Sequence, residues 1–200
     1  MSSSAVPTYG WVTEPPIVFV PWGEVAERVR IFQANLKDYG SVDGGTELAG
    51  RMNAHRGSAS FIAELIEKKL SPPYTPVFEY RVAGQPIALM QFDMQGSDGM
   101  LEIKNVATHP GSEGAGGIMV EYALNKVTSY NTQAKNEMFE PGCLFLESLN
   151  DNSTAAYVAL GFESAGKKDM VLNAAKSSKW AEADGKWRLV GKPTSYLSTS

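Results

Sequence analysis

The chain has 200 residues, 43% hydrophobic, 20% charged and 10% aromatic, with 18 basic and 22 acidic side chains and a net charge of −4. That length fits one domain, or one with a small extension, and it buries about 70% of the unfolded surface without disulfide staples. The composition excludes a mainly disordered chain, a coiled coil and a collagen-like repeat; the acidic balance excludes a non-specific grip on a phosphate backbone, but not a small anion held by backbone amides.

One cysteine, Cys143, forbids an internal disulfide. The first ten residues lack a basic segment followed by an apolar one, so no secretory signal is expected there. No apolar run reaches the ~18 residues that span a bilayer. The expectation is a cytoplasmic protein that needs neither membrane nor nucleic acid; export by a route without such a signal would leave no mark here.

Residues 1–15 read as a flexible arm, 16–192 as a single domain and 193–200 as a tail. Ile17–Val20, rich in β-branched residues between two prolines, predicts a strand. Gly23–Leu36 predicts an amphipathic helix, with Val25, Val29, Phe32 and Leu36 at helical spacing. Residues 39–57 hold Gly40, Gly44, Gly45, Gly50 and Gly57 and read as a long, mobile connection. A second helix is expected over Ser60–Leu70, capped by Ser60 and stopped by Pro72 and Pro73. Val77–Val82 and Ile87–Met94 predict a hairpin, and the Gly96–Gly99 turn leads into a strand over Met100–Ala107. Gly111–Gly117 is a glycine-rich turn before a helix over Met119–Tyr130. Cys143–Leu149 predicts a strand, Asn150–Leu160 a helix ended by Gly161, and Met170–Leu172 and Trp187–Val190 the last strands, joined by a polar stretch ending in Asp184 and Gly185. The order β-α-α-β-β-β-α-β-α-β-β is that of a mixed α/β domain with an antiparallel beginning.

The densest chemical signal is the strand, glycine-rich turn and helix of residues 101–124. Backbone N–H groups converge at such a turn, and the helix start adds about half a positive charge, which together suit a pyrophosphate. Glycine lets the phosphate approach the backbone closely. The same glycines also serve a tight strand-to-helix connection with no ligand. Two histidines and one cysteine make no metal-ligand cluster, and no Gly-x-Ser-x-Gly occurs.

A strand ending in Asn150, then a short helix with Tyr157 four residues before Gly161 and Phe162, resembles the C-terminal motif of the GNAT N-acetyltransferases. The upstream segment, with His109-Pro110 and the glycine loop, is similar to that family's acyl-CoA motif. The resemblance is specific over 100–162 and topological over 17–94. It implies a GNAT-like mixed, mostly antiparallel central sheet of α+β type, with one parallel, splayed strand pair and flanking helices. It implies acetyl-CoA as co-substrate, transferring its acetyl group directly to a primary amine of a small molecule, a protein or a peptide; a homodimer is compatible with it. The alternative is a degenerate GNAT fold that binds a ligand or protein without turnover, and an effector or toxin built on the fold is a third reading.

The resemblance assigns roles by position. Val106, Ala107 and Thr108 would face the pantetheine arm. Gly114, Ala115, Gly116, Gly117 and Ile118 would hold the pyrophosphate. Asn150 would bond the pantetheine, cap its helix, or both. Tyr157 would be the general acid, against a packing role. Glu102 would be the general base, Glu147 its rival, and water the third option. His109 would position the loop, and His55 is expected in the mobile connection, as a solvated side chain or one that touches substrate. Cys143 is most simply a small hydrophobe. The family's Gln or Arg in the loop is replaced by Gly111 in one register or Glu113 in the other.

Overall fold

The computed structural model describes residues 17–39, 46–94, 102–112, 114–134 and 142–191. The expected arm, tail, Gly96–Gly99 turn and Glu113 lie outside the described residues, as do Met100 and most of the glycines of the first connection. Strand β1 (Ile17–Val20) leads through a 3-10 turn into α1 (Val25–Asp38), which buries Val25, Val29, Phe32 and Leu36 as its periodicity requires.

Helix α2 spans Glu47–Lys68, so the expected mobile connection is half helix. Thr46 caps it, accepting a hydrogen bond from the backbone N–H of Ala49. Gly50 and Gly57 stand on its exposed side, where a glycine weakens a helix by about 1 kcal/mol without breaking it. Ala49, Ala59, Ala63 and Ile66 form its buried stripe.

Strands β2 (Val77–Val82) and β3 (Gln85–Asp93) form the expected hairpin. Its two-residue turn, Ala83 and Gly84, has positive φ at both positions. Then follow β4 (Glu102–Thr108), α3 (Ala115–Ala134), β5 (Cys143–Glu147), α4 (Asp151–Ala159), β6 (Glu163–Ser164), β7 (Asp169–Asn173), β8 (Trp180–Ala183) and β9 (Lys186–Leu189). Seven strands form one sheet in the order β1-β2-β3-β4-β5-β7-β6, and β8 and β9 pair separately. Neither β6 nor β8 was legible. β6 has two residues, and β8 lies in the stretch that reads as polar, with only Trp180 buried.

Among the described residues all strand pairs are antiparallel except β4–β5. That pair is joined by the α3 crossover and matches at only two positions, Glu102 with Phe145 and Ile103 with Leu146. Beyond Ile103 the two strands part, as expected of a splayed pair. The architecture is therefore the predicted mixed α/β one.

Helices α1 and α2 cover one face through Val20, Phe32, Ala63, Ile66, Leu89 and Ala107. The other face packs Met90, Phe92, Ile103, Leu144 and Leu172 against α3. Between α1 and the sheet, Glu79 is fully buried and accepts from Arg28 Nε at 2.5 Å and Nη2 at 2.6 Å, and also from Arg81. The β8–β9 hairpin is pinned to α3. Asn125 donates to Trp187 O and accepts from Trp187 N, and Glu121 accepts from Arg188 Nη1 and Leu189 N.

Gly142 opens β5 at φ +85° with the Trp187 ring 2.8–3.0 Å from where a Cβ would stand. Gly185 has φ +70° and open space around it. Both Ala variants carry the left-handed penalty of about 1–2 kcal/mol, and only Gly142→Ala must also move a buried indole. Urea unfolding should show Gly142→Ala as the larger loss, by about 1 kcal/mol or more; equal losses would mean the indole yields freely.

Candidate active site

The parting of β4 and β5 opens a cavity of about 360 Å³. One wall is β4 itself. A bulge sets Asn105 opposite Gln91 and Ile103 opposite Phe92, leaving Lys104 as the extra residue. Glu102, Lys104, Asn105, Val106 and Thr108 line the cavity from β4, and Glu147 with the following residues lines it from β5. From Asn105 to Thr108 the strand pairs with β3 and not with β5. One row of backbone groups therefore faces the opening.

At one end lies the turn between β4 and α3. Gly114 has φ +83°, which suits glycine. Helix α3 begins at Ala115, four residues before the expected Met119, so Gly116 and Gly117 fall in its first turn rather than in the preceding loop. Those N–H groups have no partners within a helix. Gly114, Gly116 and Gly117 line the cavity, whereas Ala115 is buried in the core and Ile118 packs against it. Ala107 likewise faces the α1–α2 core rather than the cavity.

His109 is held at both nitrogens. Nδ1 accepts from Gly111 N at 3.1 Å, and Nε2 lies 3.4 Å from the carbonyl of Asn35. With Nδ1 accepting, Nε2 carries the proton and donates. This supports the loop-positioning reading, with Tyr39 stacked edge-on at 5.0 Å.

Across the opening stands α4. Asn150 caps it, its Oδ1 accepting from Ser153 N at 3.0 Å while Ser153 Oγ accepts from Asn150 N. Asn150 also borders the cavity, so the cap does not exclude a ligand role. Tyr157 is half-buried, lines the cavity and packs on Phe162 at 5.4 Å. Gly161 ends the helix at φ +92°, and Phe162 N returns to the carbonyl of Tyr157. Cys143, which is in no disulfide, is half-buried at the start of β5 and does not line the cavity.

Sequence reasoning missed the floor. Arg51, His55, Ser58, Ile62, Leu65 and Lys69 line the cavity from α2 at successive helical turns. Starting the helix at Ser60 cut this stripe in half; Thr46 as a cap was the signal that would have restored it. His55 is thereby corrected: it is neither in a loop nor solvated. Its Nε2 is 3.0 Å from Thr108 Oγ1, and burial pushes its pKa down to about 4, helped by the nearby His109. Gln91, fully buried, donates to the Ile66 carbonyl at 3.2 Å and accepts from Asn105 Nδ2 at 2.6 Å, which fixes Asn105 at the cavity wall.

A depressed His55 pKa has a sign. The unfolded chain takes a proton near pH 6.5 and the folded chain only near pH 4. Stability is therefore whole above pH 6.5 and lost as pH falls towards 4, by up to about 3 kcal/mol. Denaturant melts from pH 7 to 4 should show this loss, and His55→Gln should flatten it. An unchanged slope in the variant would assign the loss to other groups.

Among the described residues no helix is long and apolar enough to cross a membrane and no cluster of His, Cys, Asp or Glu could hold a metal. No curated protein matches the sequence. The solved structures it resembles are mostly GNAT-family acetyltransferases. The ribosomal-protein-S18-alanine N-acetyltransferase of Escherichia coli is 14% identical over 80% of this chain and 93% of that one, with a TM-score of 0.45. The PaiA N-acetyltransferase of Thermoplasma acidophilum in complex with coenzyme A is 12% identical over 80% and 97%, with a TM-score of 0.39. The AtaT–AtaR complex bound to DNA offers a chain 16% identical over 78% and 92%, with a TM-score of 0.47. The fold itself rests on the strand order and register given above. A family described as NopP, nodulation outer protein P, matches residues 98–200, more than half of the sequence, from before β4 through the β8–β9 hairpin; the chain belongs to that family.

Proposed function

We propose that this protein is an acyl-CoA-dependent N-acyltransferase that moves an acetyl group from acetyl-CoA to a primary amine. The observation that carries the reading is the parting of β4 from β5 after Ile103, which opens a cavity between a glycine-bearing helix start and Tyr157. Acetyl-CoA supplies the reactive thioester. The exposed edge of β4 at Val106 and Thr108 offers backbone hydrogen bonds to an amide-bearing arm, and Gly116 and Gly117 in the first turn of α3 offer N–H groups to a pyrophosphate. Donors aimed at the carbonyl oxygen polarise it at little reorganisation cost.

The amine must be neutral to attack. Glu102 on β4 and Glu147 on β5 both border the cavity, and either takes the proton directly or through a water. Tyr157 returns a proton to the departing thiolate. The acceptor is a small-molecule, protein or peptide amine. The description of the family as an outer protein supports work outside the producing cell. Acetyl-CoA is an intracellular metabolite, so the two fit a protein that acts in the cytoplasm of a second cell.

An amine panel with acetyl-CoA and detection of free thiol tests this. Amine-dependent thiol release, lost in the Glu102→Gln Glu147→Gln double variant at neutral pH, is the expected result. Acetyl-CoA bound firmly with no turnover on amines, amino acids, aminoglycosides or peptides would favour the non-catalytic alternative.

A further inference from the structure

We infer that Arg51 supplies the positive charge for the pyrophosphate of the co-substrate, from α2 rather than from the glycine loop; this rests on the acetyl-CoA reading above. The loop between β4 and α3 has no free cation of its own among the described residues. Gly111 and Ser112 are uncharged, and His109 is committed at both ring nitrogens, to Gly111 N and Asn35 O. A doubly charged pyrophosphate held by backbone N–H groups alone would leave charge uncompensated.

The run of α2 across β4 places Arg51 at that end. Near its C-terminus, α2 meets the middle of β4 through Gln91, which bonds both the Ile66 carbonyl and Asn105. Further back, His55 meets Thr108, the last residue of β4. The helix therefore runs antiparallel to the strand. Asn105 to Thr108 spans about 10 Å, whereas Ile66 back to His55 spans about 16 Å. Helix α2 thus overshoots the strand, and Arg51, one further turn and about 6 Å beyond His55 on the same stripe, lies over the glycine turn. Glu102 and Glu147 stand at the opposite, paired end of β4, so Arg51 is not placed to serve the acyl end.

Arg51 borders the same cavity as Ser112, Gly114 and Gly116, and its Nε is buried with no hydrogen-bond partner among the described residues. A buried, unpaired guanidinium N–H is costly unless an acceptor meets it. A phosphate fits that need, since the guanidinium fork matches two phosphate oxygens at once. The other cavity-lining cations are elsewhere. Lys104 pairs with Asp93 at 3.3 Å, and Lys69 ends the stripe at the far end of α2.

The test compares two ligands on wild type and Arg51→Met by calorimetry, with melting curves confirming that both fold. Coenzyme A carries the pyrophosphate; acetyl-pantetheine lacks it. Arg51→Met should weaken coenzyme A by about 10–100-fold, the usual worth of charge-assisted hydrogen bonds, and leave acetyl-pantetheine unchanged. Arg51→Lys should recover part of the loss, because it restores charge without the fork. Equal weakening of both ligands would make Arg51 a structural residue. Unchanged coenzyme A affinity with a raised acceptor KM would assign Arg51 to the acceptor. Both outcomes overturn the inference while leaving the acyltransferase reading intact. A wild type that binds no coenzyme A overturns the reading itself, before any variant is made.

Discussion

Replacing Tyr157 by Phe should lower kcat by roughly 10²–10⁴-fold, the usual worth of general acid–base help. The residue sits on α4, beyond the Asn150 cap, and faces the gap that the parting of β4 and β5 creates. Its hydroxyl carries a proton that it can donate to the departing sulfur as the C–S bond breaks. The substitution keeps the ring and its packing on Phe162. Melting temperature and acetyl-CoA affinity should therefore barely move. A large melting drop with a proportionate loss of activity would make Tyr157 a packing residue. Full activity would leave water as the donor.

Gly116→Asp should weaken coenzyme A by about a thousandfold or more. A Cβ at Gly116 would meet only Thr108 Cγ2 at 3.9 Å, an ordinary contact, and Gly116 has no positive φ. The variant should fold, and an acidic residue in the first turn even suits the helix dipole. It would place a carboxylate among the N–H groups offered to the pyrophosphate. Like charges in a partly desolvated site repel by several kcal/mol. Gly116→Ala, with the same Cβ and no charge, should bind nearly as well as wild type. If Asp and Ala variants bind coenzyme A equally, the glycines serve only the connection.

The residues that carry the GNAT resemblance were legible because they are local. His109-Pro110, the glycine turn, Asn150, Tyr157, Gly161 and Phe162 each fix a cap, a turn or a helix end within a few positions. The parallel β4–β5 pair was implied by that resemblance, and the α3 helix between the two strands supplies the crossover that such a pair needs. What stayed hidden depends on distant partners. Gly50 and Gly57 argue for a loop, yet α2 is held by Ala59, Ala63 and Ile66 packing on Leu89 and Ala107, contacts that no local rule contains. The cost fell on the site, since His55 and Arg51 belong to that helix. Asn105 was overlooked because its role comes from the bulge opposite Gln91. Strand β8 was hidden by a polar face, with Trp180 anchored to the Leu160 carbonyl.

Binding of acetyl-CoA by the wild-type chain tests the central claim most directly. Titration calorimetry should give one site per chain, and acetyl-CoA at a hundredfold above Kd should stabilise the fold by about 2.7 kcal/mol in a thermal or denaturant melt. No heat of binding and no shift in melting up to millimolar acetyl-CoA would contradict it, and would leave the opening between β4 and β5 to some other ligand.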